Sequence, residues 1–184
     1  MSEASAAAGV SDHAGWAVVV CVADDKVLDR RRIELVEPGL PSMPHHHEGQ
    51  TLPIGEAVAL VERVRASAAS CARDALDELP ADVGAIAIRK RPTLPPTLAE
   101  RITDYWAQNR ADWVMYRDVL AEAAEARGWS VHEYDAKAVF AEAAAALGLE
   151  DISARMKEMG KVLGPPWRKD HKLATAAAIV VQGR

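Results

Sequence analysis

The alternation of apolar and polar residues divides the first half of the chain into strands followed by a long helix. Residues 15–36, GWAVVVCVADDKVLDRRRIELV, are rich in β-branched side chains up to an Asp-rich turn and then alternate, which predicts a β-hairpin. The preceding AAAGV, residues 6–10, has the composition of a strand buried on both faces. Proline, glycine and histidine predict a loop over 37–53. Apolar residues at helical spacing then predict a helix from Ile54 to about Leu79.

The second half of the chain alternates between strands and helices. VGAIAIRKRP, residues 83–92, is an apolar run ended by a basic trio, which predicts a buried parallel strand. Thr97 and Glu100 have the capping-box spacing that begins a helical stretch, which we expect to break at 109–112 and to resume as far as Gly128. The remaining predicted elements are a strand over 129–135, a helix over 136–148 and a final helix after Pro165 and Pro166.

This order of elements predicts the fold class. A hairpin followed by strand-helix-strand crossovers gives an α/β fold with a mixed sheet. With 184 residues, 49% of them hydrophobic, we expect one domain over 1–184, with residues 1–8 flexible. Because no apolar run approaches the roughly 20 residues of a membrane span, we expect a soluble, cytoplasmic protein that does not contact membranes. Cys21 and Cys71 lack CxxC spacing, which favours buried free thiols.

Charge is distributed unevenly along the chain. The net charge of −5 by itself argues against avid, sequence-independent binding of nucleic acid. The basic residues nevertheless cluster at 30–32, at 89–91, and at Arg168, Lys169 and Lys172. A basic trio at the end of a buried central strand is not an ordinary solvated surface, so Arg89 is a candidate for contact with a ligand or partner.

The final helix begins with charged residues in an otherwise apolar sequence. Ala174, Ala177, Ala178 and Val181 share one face, and Asp170 lies on the same face one turn earlier. A carboxylate on a face that packs against a sheet needs a partner. Asp170 is therefore either the N-cap of this helix or a contact to a metal or phosphate.

The order of elements and three short segments resemble the ribonuclease H-like superfamily, in particular its RuvC-type resolvase branch. AGVSDHAGWAVVV is similar to the first two strands of that branch, GWSVHEYDAKAVF to its fifth strand and following helix, and KDHKLATAAAIV to its last helix. The resemblance spans nearly the whole chain. It implies a mixed five-stranded sheet of order 3-2-1-4-5, with strand 2 antiparallel, flanked by helices.

The resemblance also implies a metal-dependent nuclease that acts on nucleic-acid phosphodiesters. In that chemistry two divalent ions held by carboxylates activate water and stabilise the leaving oxygen. In the implied topology Asp12, the loop at 45–48 and Arg89 all leave the sheet at one edge, where open sheets bind ligands. The final helix would begin there too, so that Asp170 would face the end of the first strand.

The sequence departs from the resolvase pattern at the ends of the first and fourth strands, and Leu173 stands three residues after Asp170, where resolvases often have a second acid. Ser11 stands where a strict match has aspartate, so Asp12 would have to enter the site from the turn. Arg89 ends the fourth strand where the resolvase branch has glutamate; its guanidinium would repel metal ions, or replace one and bind the scissile phosphate itself. Glu56 is the expected compensation, because ribonucleases H carry a metal-binding glutamate in the first long helix.

The expected site is a mixed set of acids, histidines and cations. Mg²⁺ or Mn²⁺ is the expected metal, and the histidines on this edge also admit Zn²⁺. A histidine would act as general base or protonate the leaving oxygen. The candidates are Asp12, Glu56, Asp170 and His171 for catalysis, Asp12, His13, Glu48 and Asp170 for metal, and Arg89, Lys90, Arg91, Trp167, Arg168 and Lys172 for substrate.

Structural roles compete with several of these assignments. Asp12 and His13 have the composition of a turn. The histidines at 45–47 fit an exposed loop, His171 fits a surface position, and Trp16 fits the core. The region with Trp106, Trp113, Tyr116, Asn109, Arg110 and Arg117 packs in the core, contacts a second copy of the chain in a homodimer, or stacks on single-stranded bases.

Two other functions fit the sequence. One is a non-catalytic module that keeps the fold to bind nucleic acid or a protein partner, with the altered acids reflecting lost cleavage. The other is an enzyme on a small phosphorylated or nucleotide substrate, which suits the acidic net charge better than a long polymer does.

Overall fold

The fold is one mixed sheet with helices on both faces. The computed structural model describes residues 6–182. The strands are β1 (Ala6–His13), β2 (Trp16–Ala23), β3 (Lys26–Glu34), β4 (Val83–Arg89) and β5 (Ser130–Tyr134). The helices are α1 (Ile54–Asp77), α2 (Leu98–Thr103), α3 (Gln108–Glu125), α4 (Val139–Ala146), α5 (Ser153–Leu163) and α6 (Lys169–Gln182), with a short 3-10 helix over Glu48–Thr51.

The strand order is β3-β2-β1-β4-β5, with β2 antiparallel to both of its neighbours. β4 is parallel to β1 and to β5. The predicted order 3-2-1-4-5 with strand 2 antiparallel is therefore confirmed. Because β1 and β4 are parallel neighbours, their carboxyl ends lie side by side, which places Ser11, Asp12 and Arg89 at one edge of the sheet.

The central strand β1 separates two apolar cores. Ala6, Ala8 and Val10 belong to the core that α1 and α3 cover, and Ala7 belongs to the core that α6 covers. Gly9 faces α6 so closely that a Cβ atom there would lie 1.8 Å from the backbone oxygen of Ala174. This close approach packs the middle of α6 against the middle of β1.

The structure corrects two expectations about local structure. Residues 6–8, expected to be flexible, form the buried start of β1; residues 1–5 lie outside the described residues. The break between the two helices of the middle segment falls at 104–107 rather than at 109–112. The Asp104 side chain accepts hydrogen bonds from the backbone N–H groups of Trp106 and Ala107, which fixes the turn there.

The predicted start of the middle helical stretch is confirmed. The capping box of Thr97 and Glu100 begins α2. Cys21 and Cys71 are free thiols, the first buried and the second half-buried. Within residues 6–182, no helix combines the length and the apolar character needed to span a lipid bilayer.

Candidate functional site

Asp170, in the first turn of α6, lies directly against the end of β1. Its Oδ1 atom accepts a 2.7 Å hydrogen bond from Ser11 Oγ and lies 2.9 Å from His13 Nε2. Ser11 and His13 are two residues apart in a strand, so both side chains point to the α6 face. Arg89 completes the group, because its Nη2 donates to Ser11 Oγ at 3.2 Å. We call these four residues the Asp170 cluster.

Asp12 occupies the other face of β1. Its side chain is 1% exposed, and its Oδ2 accepts a 2.8 Å hydrogen bond from Arg117 Nε of α3. Arg89 Nε lies 3.6 Å from Asp12 Oδ1. These last two atoms are buried and have no hydrogen-bond partner among residues 6–182. Arg89 therefore contacts Asp12 on one side and the Ser11 hydroxyl that holds Asp170 on the other.

Burial and charge act against each other on the ionisable groups of this edge. Burial alone would raise the pKa of Asp170, but hydrogen bonds from Ser11 and His13 outweigh it and lower the pKa. Burial alone would lower the pKa of Arg89, but the Asp12 carboxylate, together with Tyr134 and Asp170, outweighs it and raises the pKa. Burial also raises the pKa of Tyr134 to about 12, against the opposing effect of Arg89. At neutral pH Asp170 is thus an anion, Arg89 a cation and Tyr134 a neutral phenol.

The other acids expected at the site lie elsewhere. Glu56 is exposed on the first turn of α1, and Glu48 is exposed in the short 3-10 helix. No group of three or more histidine, cysteine, aspartate or glutamate side chains within residues 6–182 could hold a metal ion. The donor set also opposes a pair of divalent ions, because Asp12 is already neutralised by two guanidiniums. The residues at this edge do not fit a two-metal centre.

A stack of flat side chains extends the Asp170 cluster across the hairpin. The rings of His13 and Trp16 are parallel within 7° and their centroids are 4.0 Å apart. The guanidinium carbon of Arg32 lies 4.0 Å from the Trp16 centroid. Two groups this close to one ring must occupy its opposite faces. Trp16, expected in the core, is therefore half-buried at its margin, between a histidine and a cation.

His171 and Trp167 are held by local contacts. His171 is buried, and its Nδ1 accepts from the Arg168 backbone N–H at 3.3 Å. Burial lowers the pKa of His171, and nearby Arg30 lowers it further, so the imidazole is neutral at pH 7. Trp167 Nε1 donates to the Met156 carbonyl oxygen at 2.8 Å, which docks the indole on α5.

The remaining candidate substrate-binding residues differ in exposure and in whether they are ion-paired. Lys90 is exposed, with its Nζ 4.0 Å from a carboxylate oxygen of Asp135. Arg91 is paired with Glu133 at 2.7 Å and with Asp118 at 3.1 Å. The side chain of Arg168 is exposed, and that of Lys172 is half-exposed.

Two cavities lined by arginine flank the Asp170 cluster. One, of about 460 Å³, opens between the hairpin and the start of α6 and is lined by Trp16, Arg30, Arg31, Arg32, Arg168 and Asp170, among others. The other, of about 330 Å³, opens between β4 and α3 and is lined by Arg89, Pro92, Asn109, Arg110, Trp113 and Arg117.

Arg30 organises the chain that leads into α6. Its guanidinium donates to the carbonyl oxygens of Leu163 at 2.8 Å and Gly164 at 2.9 Å, and also to that of Pro166. Carbonyl oxygens carry no net charge, so Arg30 keeps its positive charge in the first cavity. The sequence shows Arg30 only as part of a basic cluster, because its partners are 133 or more positions away.

The histidine loop is partly internal. His45 is 1% exposed, and its Nδ1 lies 2.8 Å from Oδ1 of buried Asp112. The two carboxylate oxygens of Asp112 also accept from the backbone N–H groups of His45 and His46. His47 is exposed. The expectation of an exposed loop is thus wrong for His45, because Asp112 of α3 anchors it.

The aromatic residues near α3 separate into different environments. Tyr116 is fully buried, and its hydroxyl donates to the Ser42 carbonyl oxygen at 2.7 Å. Trp113 is half-buried and donates from Nε1 to Asn109 Oδ1 at 2.6 Å. Trp106 is 74% exposed. Core packing therefore accounts for Tyr116 and not for Trp106.

Two residues of the site were not identified as such from the sequence. In the sequence Ser11 is only a departure from an acidic pattern, because its hydrogen bond to Asp170 joins residues 159 positions apart. Arg117 belongs in the sequence to a possible stacking surface, and nothing there indicates its contact with Asp12. The even spacing of Ser11 and His13 in a strand is the signal that could have separated their face from that of Asp12.

Comparison with known proteins supports the fold. No family model and no curated protein sequence matches this chain. A structure of Thermus thermophilus RuvC in complex with a Holliday junction substrate is similar over 96% of this chain and 91% of that one, with a TM-score of 0.52 and 16% identity. A second Thermus thermophilus RuvC structure is similar over 95% and 91%, with a TM-score of 0.52 and 13% identity. The chain has a RuvC-type, ribonuclease H-like fold.

Proposed function

We propose that this chain is a nucleic-acid-binding module that contacts the phosphodiester backbone through arginines at the carboxyl edge of its sheet. The observation that carries the proposal is the placement of charge. Four arginines line one cavity and three line the other, while Asp170 is the single carboxylate among the described lining residues. Four of these arginines are paired with carboxylates: Arg31 with Asp29 and Glu78, Arg32 with Glu34, and Arg89 and Arg117 with Asp12. Arg30, Arg110 and Arg168 form no ion pair with any residue from 6 to 182. In a chain of net charge −5, these unpaired guanidinium groups at one edge favour a polyanion.

Guanidinium groups suit this ligand. An arginine presents planar paired donors that match two phosphate oxygens, and it stays charged at every physiological pH. Arg89 keeps 26% of its side chain exposed although it contacts Asp12, so a phosphate can approach it from the cavity beside α3. The similarity of fold to a protein whose structure contains a Holliday junction supports nucleic acid as the ligand class.

Metal-dependent cleavage, which the resemblance to resolvases implies, stays a prediction. It would require acids that converge on a pair of ions, whereas Asp12 and Asp170 lie on opposite faces of β1, and Arg89 lies between Asp12 and the Ser11 hydroxyl that holds Asp170. Binding is therefore the function that the geometry supports best.

The test is fluorescence anisotropy with labelled single-stranded, duplex and branched DNA over a range of salt concentrations, in EDTA and then in Mg²⁺ or Mn²⁺. We expect binding in EDTA that weakens steeply with salt. Arg168→Gln and Arg32→Gln should each weaken binding and reduce the salt slope by about 1. Arg63→Gln, on the exposed surface of α1, removes the same charge away from the two cavities and should change neither.

The outcomes separate the candidate functions. If none of the DNA forms binds in a salt-sensitive way, the proposal is contradicted. Strand cleavage that requires Mn²⁺ or Mg²⁺ and is lost in Asp170→Asn would show a nuclease instead of a binding module. Thermal stabilisation by a mononucleotide without any response to oligonucleotides would show a small-substrate protein.

A further inference from the structure

Two large aromatic side chains project into solvent between α2 and α3. Tyr105 and Trp106 are each 74% exposed, and their rings meet edge to face with centroids 5.4 Å apart. The backbone beneath them is fixed, because the Asp104 carboxylate accepts from the Trp106 N–H at 2.8 Å and from the Ala107 N–H at 3.1 Å. The exposed rings are therefore presented by an anchored turn.

Trp106 begins a face on which tryptophan and arginine alternate. The backbone bonds from Gln108 N–H to Asp104 and from Ala111 N–H to Ala107 continue the helical winding back to this turn. Trp106, Arg110, Trp113 and Arg117 are spaced by four, three and four residues, so they lie along one side of the helix over roughly 16 Å. We call these four residues the Trp–Arg face.

The Trp–Arg face leads into the Asp170 cluster. Arg110, Trp113 and Arg117 line the cavity of about 330 Å³ together with Arg89. The ring centroid of Trp113 lies 6.4 Å from that of His13. A strand that contacts Arg89 through a phosphate is thus within reach of the tryptophans of this face.

We propose that the Trp–Arg face binds the unpaired bases of a nucleic-acid strand, an inference that rests on the proposed function. Bases stack on indole rings whatever their identity, and exposed Arg110, which lies between Trp106 and Trp113, pairs with a phosphate that links the bases. A duplex keeps its bases stacked on each other and offers this face only its backbone. The face therefore selects single-stranded or branched nucleic acid over duplex.

Charge and exposure favour this occupant over a protein surface. Arg110 is exposed and forms no ion pair with any residue from 6 to 182, so its charge is available to a phosphate. The cavity that it shares with Arg89 and Arg117 contains no carboxylate among its described lining residues. Arg89 and Arg117 are paired with Asp12, but a homodimer contact through this face would bury the charge of Arg110 without a carboxylate among the described lining residues, which opposes such a contact.

The test uses a DNA strand that contains 2-aminopurine, alone and annealed to its complement, titrated with the full chain in EDTA. Stacking on indole quenches the fluorescent base, so we expect quenching with the single strand and little with the duplex. Trp106→Ala should weaken single-strand binding about tenfold and leave duplex binding within twofold. Trp106→Phe should restore much of the affinity because it keeps an aromatic ring. Val162→Ala, which truncates an 88% exposed side chain on α5, is the matched control.

The results distinguish this inference from the proposed function. If the wild-type chain binds both DNA forms and Trp106→Ala binds each with the affinity of the wild-type chain, the inference about the face is wrong and the phosphate-binding proposal stands. If neither form binds to the wild-type chain, the proposed function fails and the inference fails with it. If sedimentation shows a dimer that Trp106→Ala converts to a monomer while single-strand binding is unchanged, the face is a contact between copies.

Discussion

The two carboxylates near the end of β1, Asp12 of the strand itself and Asp170 of α6, have different environments. Asp12 is 1% exposed and bound by arginine on the α3 face, whereas Asp170 is 28% exposed and bound by a serine and a histidine on the α6 face. Side chains alternate along a strand, so the residue next to Ser11 must point away from Asp170. A buried carboxylate with cationic partners stabilises the fold, and a partly exposed one beside open cavities is available to a ligand.

The largest expected effect separates these two roles. Asp12→Ala should lower the free energy of unfolding by about 3–5 kcal/mol, because it leaves Arg117 and Arg89 with an uncompensated charge at a buried position. Asp170→Ala should cost about 1 kcal/mol, because the Asp170 side chain is 28% exposed and Ser11 keeps its hydrogen bond from Arg89. Urea unfolding followed by circular dichroism measures both. Equal losses in the two variants would contradict the comparison.

The contact that holds α6 against β1 can be broken without touching either carboxylate. Gly9→Ala should lower the free energy of unfolding by about 3 kcal/mol, since the new methyl would meet backbone atoms of α6 that have no rotamer to change. Gly55→Ala on α1 is the control, because nothing lies within 4 Å of its added Cβ and alanine favours helix. Unchanged stability in Gly9→Ala would show that α6 is free to shift.

Removing the serine tests how the Asp170 side is held. Ser11→Ala should lower the free energy of unfolding by about 1 kcal/mol and raise the pKa of Asp170, because the carboxylate loses one of the two hydrogen bonds that lower it. Carboxyl chemical shifts recorded by NMR against pH report that pKa. Ser130→Ala, at an exposed position of β5, should leave the titration of Asp170 unchanged.

The smallest expected effect is a change in how the stability of the fold depends on pH below neutrality. Because the pKa of Asp170 is lower in the folded than in the unfolded chain, its ionised form favours folding. This contribution is present above the ordinary value of 3.8 and is lost as the pH falls through the lower folded-state pKa. The loss of stability between neutral pH and about pH 3 should therefore be smaller in Asp170→Asn than in the wild-type chain. Identical losses in the two proteins would show that this carboxylate gains nothing from Ser11 and His13.

The elements were predictable where local pattern and burial agree. The apolar run of β4, the capping box of α2 and the alanine stripe of α6 depend on periods of two and of three to four residues that a sequence displays directly. The break at 104–107 was missed because it depends on one aspartate side chain that captures two backbone N–H groups. Asn109 and Arg110 have the composition of a break but continue the helix.

The candidate site was predictable only in part. The position of Asp170 on the packing face of α6 and the unusual cation at Arg89 followed from spacing and from the end of an apolar run. The partners of Asp12 could not be predicted in this way. Its contact with Arg117 spans 105 positions, and it takes the place of the metal contact that the resemblance implies. The anchoring of His45 by Asp112 was missed for the same reason, since a histidine in a loop gives no sign of a buried partner.

The sequence by itself determined the order of strands and helices, the faces of each element and the edge where its charged residues gather, because these depend on periodicity and on the chirality of crossovers. Only the tertiary structure decided which charges meet. The Gly9 contact sets the distance between β1 and α6, and the strand alternation then assigns Ser11 to Asp170 and Asp12 to Arg117. A pairing between charges depends on ångström distances between distant segments, which no local pattern contains.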